Sequence, residues 1–273
     1  MKRTTYIIFG MLLAGLVVMC GGIFYSTTLI VHWDDAIMDI NGERKTVELP
    51  ECKVVRLMAE RDVITDTEDA KVIRMVSFAN LPLNVRPAQT ANGTFTYASD
   101  MDKYMTMVTS GDTLRIVFNF SREKLEEKFQ DMLWLNVRSG EMEITLPDNI
   151  QELSDGLVAQ KMNVEGFNRD SLSLYSKEYT TINDCNFRAL TVQGGSWLFN
   201  TGKADNLHLH LNEIRSWHAN TSSFHIDTEY LYAHNNHRCT LQKGECRQVV
   251  WMPQSNDASL NIELKQAAKV VVE

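Results

Sequence analysis

Over the last hundred residues one spacing keeps returning. An apolar residue, one outward residue and a second apolar residue recur as Leu172/Leu174, Leu190/Val192, Leu207/Leu209, Phe224/Ile226 and Leu260/Ile262, with Leu241 between the last two. The steps are about 17 to 19 residues. Alternation within each pair is the mark of a strand with one buried face. A second column, Ile182, Leu198, Ile214, Leu231 and Val249, runs in phase with the first, as a coil of two short strands requires. Corners are supplied by Asn168, Asp184/Asn186, Gly194-Gly195, Gly202, Asn206, Asn220 and Asn235-Asn236, residues that tolerate left-handed backbone. The expected fold is therefore all-β, a parallel β-solenoid. Such stacks expose long flat surfaces, and function resides in a site grafted on one of them.

Upstream of the repeat the pattern stays β. Val47/Leu49, Val54, Leu57, Val72 to Phe78 and Leu83/Val85 read as short strands. Phe95/Tyr97, Met105/Met107 and Leu114/Ile116/Phe118/Phe120 alternate with period two, and Ser110-Gly111-Asp112 forms a hairpin loop. One capping helix is expected outside the amino terminus. Ser121 would cap it, with Leu125, Phe129, Met132 and Leu133 on one face.

At the amino terminus Lys2 and Arg3 precede an uncharged stretch from Tyr6 to Val31, followed by Asp34, Asp35 and Asp39. The stretch exceeds the roughly 20 residues that cross a bilayer as a helix. The charge asymmetry places the amino terminus in the cytoplasm and the bulk of the chain outside, as a single-pass protein of the cell envelope. A cleaved signal peptide and lipid attachment at Cys20 are the competing readings of this segment. The expected division is 1–31 transmembrane signal anchor, 32–45 linker, 46–265 β domain and 266–273 tail. Net charge is −8, and no basic run exceeds two residues, so nucleic acid is not an expected partner. Of the thiols beyond the anchor, Cys239 and Cys246 flank Gly244 closely enough to close a disulfide loop in an oxidising compartment. Buried free thiols are the alternative.

The chain resembles the auto-transporter adhesin head family, the GIN domain of Bacteroidetes envelope proteins. The resemblance rests on Leu81-Pro82-Leu83-Asn84-Val85, Gly111-Asp112-Thr113-Leu114-Arg115-Ile116, Met142-Glu143-Ile144-Thr145-Leu146-Pro147 and the Leu-x-Leu rungs, over 54–264. It implies an adhesion-like envelope role and carries no catalytic residues over.

Outward positions of neighbouring coils should form ladders about 4.8 Å apart. The repeat places His208, His210, His225 and Asp227 on one exposed face, where imidazoles beside a carboxylate could grip a polar ligand or a divalent metal. No metal-binding spacing supports the metal, so none is expected, and no cofactor either. Trp197, Phe199, Trp217, Tyr230, Tyr232 and Trp251 lie in or near the second column. Part of this set must face the core; Trp217, beside His218, is the one expected outside as a sugar platform. Clustered acid pairs, Gly-x-Ser-x-Gly and phosphate loops are absent from the sequence. The expectation is a non-catalytic protein, anchored in the membrane and binding an unidentified protein or glycan. A polysaccharide lyase or hydrolase of the β-helix type is the alternative.

Overall fold

The computed structural model describes residues 11–22, 36–60, 62–66, 71–241, 246–264 and 269–272. They fall into two compact units, Met1–Ile37 and Met38–Glu273. In the first, residues 11–22 are helical and exposed. No helix among the described residues is long and apolar enough to cross a membrane. The remainder of the apolar stretch expected to form the anchor lies outside the described residues.

The second unit is all-β and its sheets are mostly parallel. A ten-stranded sheet runs in the order Lys269–Val272, Cys246–Pro253, Phe224–Ala233, Gly202–His210, Cys185–Gln193, Asn168–Ser176, Glu152–Asp155, Val54–Ala59, Thr113–Phe118 and Met105–Ser110. All of its pairings are parallel except the last, the expected hairpin, where Gly111 turns with φ +57°. An eight-stranded sheet contains Met142–Leu146, Leu83–Pro87, Lys161–Glu165, Tyr179–Asn183, Ser196–Phe199 and Ser216–Ala219 as parallel neighbours. From Glu152 to Ala219 the chain alternates between the two sheets, so each pass adds one strand to each. Ile37–Ile40 falls in the stretch expected as a linker, Arg44–Glu48 begins at its end, and Lys269–Val272 falls in the expected tail.

Stacking in register turns the sequence repeat into continuous apolar columns. Leu172, Leu190 and Leu207 pair successively, as do Leu174, Val192 and Leu209. In the eight-stranded sheet Val164, Ile182 and Phe199 pair successively in the same way. All nine are at most 2% exposed. Burying each such side chain contributes about 1.5 to 3 kcal/mol, and the parallel ladders satisfy the backbone between them.

The helix expected after Ser121 is not formed. Arg122–Lys124 and Glu127–Phe129 are separate 3-10 turns, and Ser121 makes no side-chain cap. The backbone is extended at Leu125 (ψ 152°) and at Glu126 (ψ 149°), which parts the two turns, and Arg74 fixes the chain that follows. Its guanidinium is buried and donates to the carbonyl oxygens of Phe129 at 2.6 Å, Met132 at 2.9 Å and Gln130 at 2.6 Å, while Asp62 accepts from Nε at 3.0 Å. Leu125 and Phe129 are still buried as the apolar spacing demands.

Asp155 ends its strand in register with Ser176 and is 1% exposed. It accepts the Leu157 N–H at 3.1 Å. Burial outweighs that bond and pushes its carboxyl up to about 7. The folded protein therefore holds a proton there that the unfolded chain, near 3.8, gives up. Stability from this group is complete below about pH 4 and declines as pH rises to about 7, by on the order of 1 kcal/mol per pH unit. Asp155→Asn is expected to flatten that slope and to raise stability at pH 8 more than at pH 5. Urea melts of both proteins across pH 4 to 8 check this, and parallel profiles would refute it.

Candidate functional site

The outward face of the large sheet carries the most organised cluster of side chains. Ser173, Thr191, His208 and Tyr230 occupy successive positions of one outward row. Tyr175 and Gln193, then His210 and Tyr232, form the next. The His208 imidazole stacks on the Tyr230 ring with centroids 4.6 Å apart at 11°, and His210 stacks on Tyr232 at 4.9 Å and 13°. A hydrogen bond of 2.9 Å joins His208 Nδ1 to the Tyr232 hydroxyl and crosses the two rows. All four residues are half-buried.

Burial lowers the pKa of His208, with His210 adding to the effect. His210 is lowered by burial too; Glu213 opposes the shift and His234 reinforces it. Both imidazoles are therefore neutral at neutral pH, each with one donor and one acceptor nitrogen. Because the ring faces are spent on one another, the cluster presents ring edges, imidazole nitrogens and phenol oxygens. That is a hydrogen-bonding strip rather than a stacking platform. It continues toward Val250 and Met252, the register partners of Tyr230 and Tyr232.

Of the four residues expected to share this face, His208 and His210 do and His225 and Asp227 do not. His225 stands opposite Lys203, five positions along its strand from Tyr230, which is about 16 Å at the rise of a strand. Asp227 lies between His225, at 3.6 Å, and Arg247, at 3.4 Å. Both contacts are exposed, and the Asp227–Arg247 ion pair is worth at most about 1 kcal/mol. The cause of the shift is that Phe224–Ala233 holds two apolar-spaced pairs. Phe224/Ile226 stacks on Gly202/Ala204, whereas the rung that continues Leu207/Leu209 is Glu229/Leu231. A fully buried glutamate in a leucine column hides that rung from any hydrophobic count. Tyr230 and Tyr232 could have been placed beside the histidines by extending the parallel register from His208 instead of the apolar pattern.

Trp217 is also corrected. It pairs with the buried Trp197 and packs, partly buried, against the core, while His218 takes the outward position. The strand is too short for both residues to face out, since successive side chains alternate. Trp197 and Phe199 are buried, and Trp251 is 8% exposed.

Among the described residues no group of three or more His, Cys, Asp and Glu side chains is arranged to hold a metal ion. Cys52 and Cys185 are buried thiols. Burial pushes Cys185 up to about 11 and raises Cys52 as well, which keeps both protonated and unreactive. The side chain of Cys239 lies outside the described residues, and so does its expected pairing with Cys246.

No family model matches the chain, and no curated protein sequence matches it. Solved structures do align with it. A candidate adhesin from Bacteroides fragilis NCTC 9343 shares 11% identity over 86% of this chain and 99% of its own, with a TM-score of 0.39. A candidate lipid-binding protein from Parabacteroides distasonis ATCC 8503 shares 10% identity over 86% and 99%, also at 0.39. A candidate adhesin from the same organism shares 10% over 87% and 100%, at 0.36. Likeness at this level assigns no ligand, which has to be read from the residues of this chain.

Proposed function

We propose that this chain is a non-catalytic, adhesin-type protein of the cell envelope. In this reading its strand stack is a β-solenoid related to the GIN-type adhesin heads, and its apolar amino terminus anchors it in the membrane. The outward face around His208, His210, Tyr230 and Tyr232 binds a protein or glycan partner. The observation that supports this most is the ring ladder itself. Four half-buried rings, locked by stacking and by the His208–Tyr232 hydrogen bond, form a rigid strip of donors and acceptors on a flat sheet. Preorganised polar edges suit recognition because little side-chain freedom is lost on binding.

Tyr230→Ala and Tyr232→Ala are each expected to weaken binding about tenfold or more, the loss typical of truncating an aromatic anchor. The purified full chain in detergent, tested on arrays of envelope and host glycans and on immobilised surface proteins, supplies the measurement. If binding survives both substitutions unchanged, the site is elsewhere. Release of oligosaccharide from a polysaccharide panel, with or without calcium, would instead favour the lyase or hydrolase reading.

A further inference from the structure

A second surface differs from the ring ladder in both chemistry and position. A three-stranded sheet is formed by Ile37–Ile40, Trp134–Ser139 and Met75–Asn80, with Trp134–Ser139 in the middle. At its leading end Trp134 stands in register with Met75, and the Met75 N–H donates to the Leu133 carbonyl at 2.8 Å. The side chains there are apolar and exposed: Trp134 46%, Leu133 56%, Met75 45% and Ile73 41%. Val63, the register partner of Ile73, is 38% exposed. Ile73 and Met75 face out because Arg74 between them is drawn inward onto the carbonyls of Phe129, Gln130 and Met132. The patch is thus held in place by a buried guanidinium. Five large apolar side chains in one exposed area mark an interaction site rather than scattered surface residues. Trp134 donates its Nε1–H to Asn136 Oδ1 at 2.9 Å, so the indole has a polar end and an apolar body, the character that favours the membrane interface.

The chain path bears on what could cover this patch. Arg138 binds Asp39 through two nitrogens, at 2.5 and 2.9 Å, and Ile40 and Asn41 share a depression with Gly140 and Glu141. The strand Ile37–Ile40 therefore runs in the same direction as Trp134–Ser139, and its first residues lie toward the Trp134 end. The uncharged stretch that precedes it in sequence ends at Val31. Seven residues to Met38 span at most roughly 25 Å when fully extended. A sheet tethered so closely, at the end where its apolar side chains are exposed, would have a bilayer within reach of that face.

We infer that Trp134, Leu133, Met75, Ile73 and Val63 form a lipid-surface docking patch that seats the β unit on the membrane anchoring it. This rests on the anchor reading above, and the test separates the two. The full chain is reconstituted into phosphatidylethanolamine/phosphatidylglycerol vesicles, with and without dibrominated acyl chains, and floated on a density gradient. Tryptophan quenching is then compared between the native chain and Trp134→Phe. Flotation with clear quenching that falls by about half in Trp134→Phe is the expected result, Trp33 supplying the remainder. Flotation with the same quenching in both proteins overturns the docking while leaving the anchor intact. Failure to float overturns the anchor and the docking with it. A detergent-solubilised dimer that becomes monomeric in Met75→Asp would assign the patch to a second copy instead.

Discussion

Alanine at Gly195 is expected to cost more than about 4 kcal/mol, a large share of the roughly 5 to 15 kcal/mol by which a native protein is stable. Gly195 has φ +32°, and a Cβ placed on it would lie 1.8 Å from the carbonyl oxygen of Glu178, in the preceding connection between the sheets. That carbonyl cannot retreat, because it accepts the Ser196 N–H at 2.6 Å, and the Gly195 carbonyl in turn accepts from Arg215 at 2.7 Å. The corner is a stack of three turns in direct backbone contact, and a single added methyl group would force them apart. Gly111→Ala is the control. Its φ is +57° and nothing lies within 4 Å of the added carbon, so only the left-handed penalty of about 1 to 2 kcal/mol is expected. Urea denaturation of the two variants decides the matter; equal losses would show that close approach of the Glu178 backbone is not what selects glycine at the corner.

The second large effect is expected at Arg74. Arg74→Met preserves the length and apolar stem but removes every donor, leaving the carbonyls of Phe129, Gln130 and Met132 without their partner and Asp62 without its cation. Breaking a buried ion pair from one side and orphaning carbonyls costs about 3 to 5 kcal/mol. The loss should be local before it is global. Limited proteolysis is expected to cut between Arg122 and Leu133 in the variant under conditions where the native chain stays whole, and Arg74→Lys should recover only part of the protection because one ammonium cannot serve three carbonyls and a carboxylate at once. A variant as protease-resistant as the native chain would remove Arg74 from this role.

These two residues also show why the sequence was readable in some places and opaque in others. The Leu-x-Leu rungs from Leu172 to Leu209 align in register as their spacing predicts, because each holds only apolar residues at buried positions. The register failed at Phe224–Ala233, where a buried glutamate replaces a leucine and a different apolar pair offers a false match. His208 and His210 therefore stand together as their spacing predicts, while His225, opposite Lys203, and Asp227, beside Arg247, stand apart from them. The Ser121 helix failed for a related reason. Its apolar spacing places Leu125 and Phe129 in the core, but Leu133 is exposed and the backbone is extended at Leu125 and Glu126, a break that apolar spacing does not encode. The pairing of Tyr230 with His208 and of Tyr232 with His210 likewise depends on cross-strand register, which alternation alone does not supply.

The measurement that tests the account most directly is a paired comparison on one bound partner, using the full chain. The double variant Tyr230→Ala/Tyr232→Ala is set against His225→Ala/Asp227→Ala, with thermal melts confirming that both fold. The account expects the tyrosine variant to lose binding by a hundredfold or more and the His225/Asp227 variant to bind like the native chain. Loss confined to the His225/Asp227 variant, with the tyrosine variant unaffected, would contradict it and move the site to the other end of the same strand.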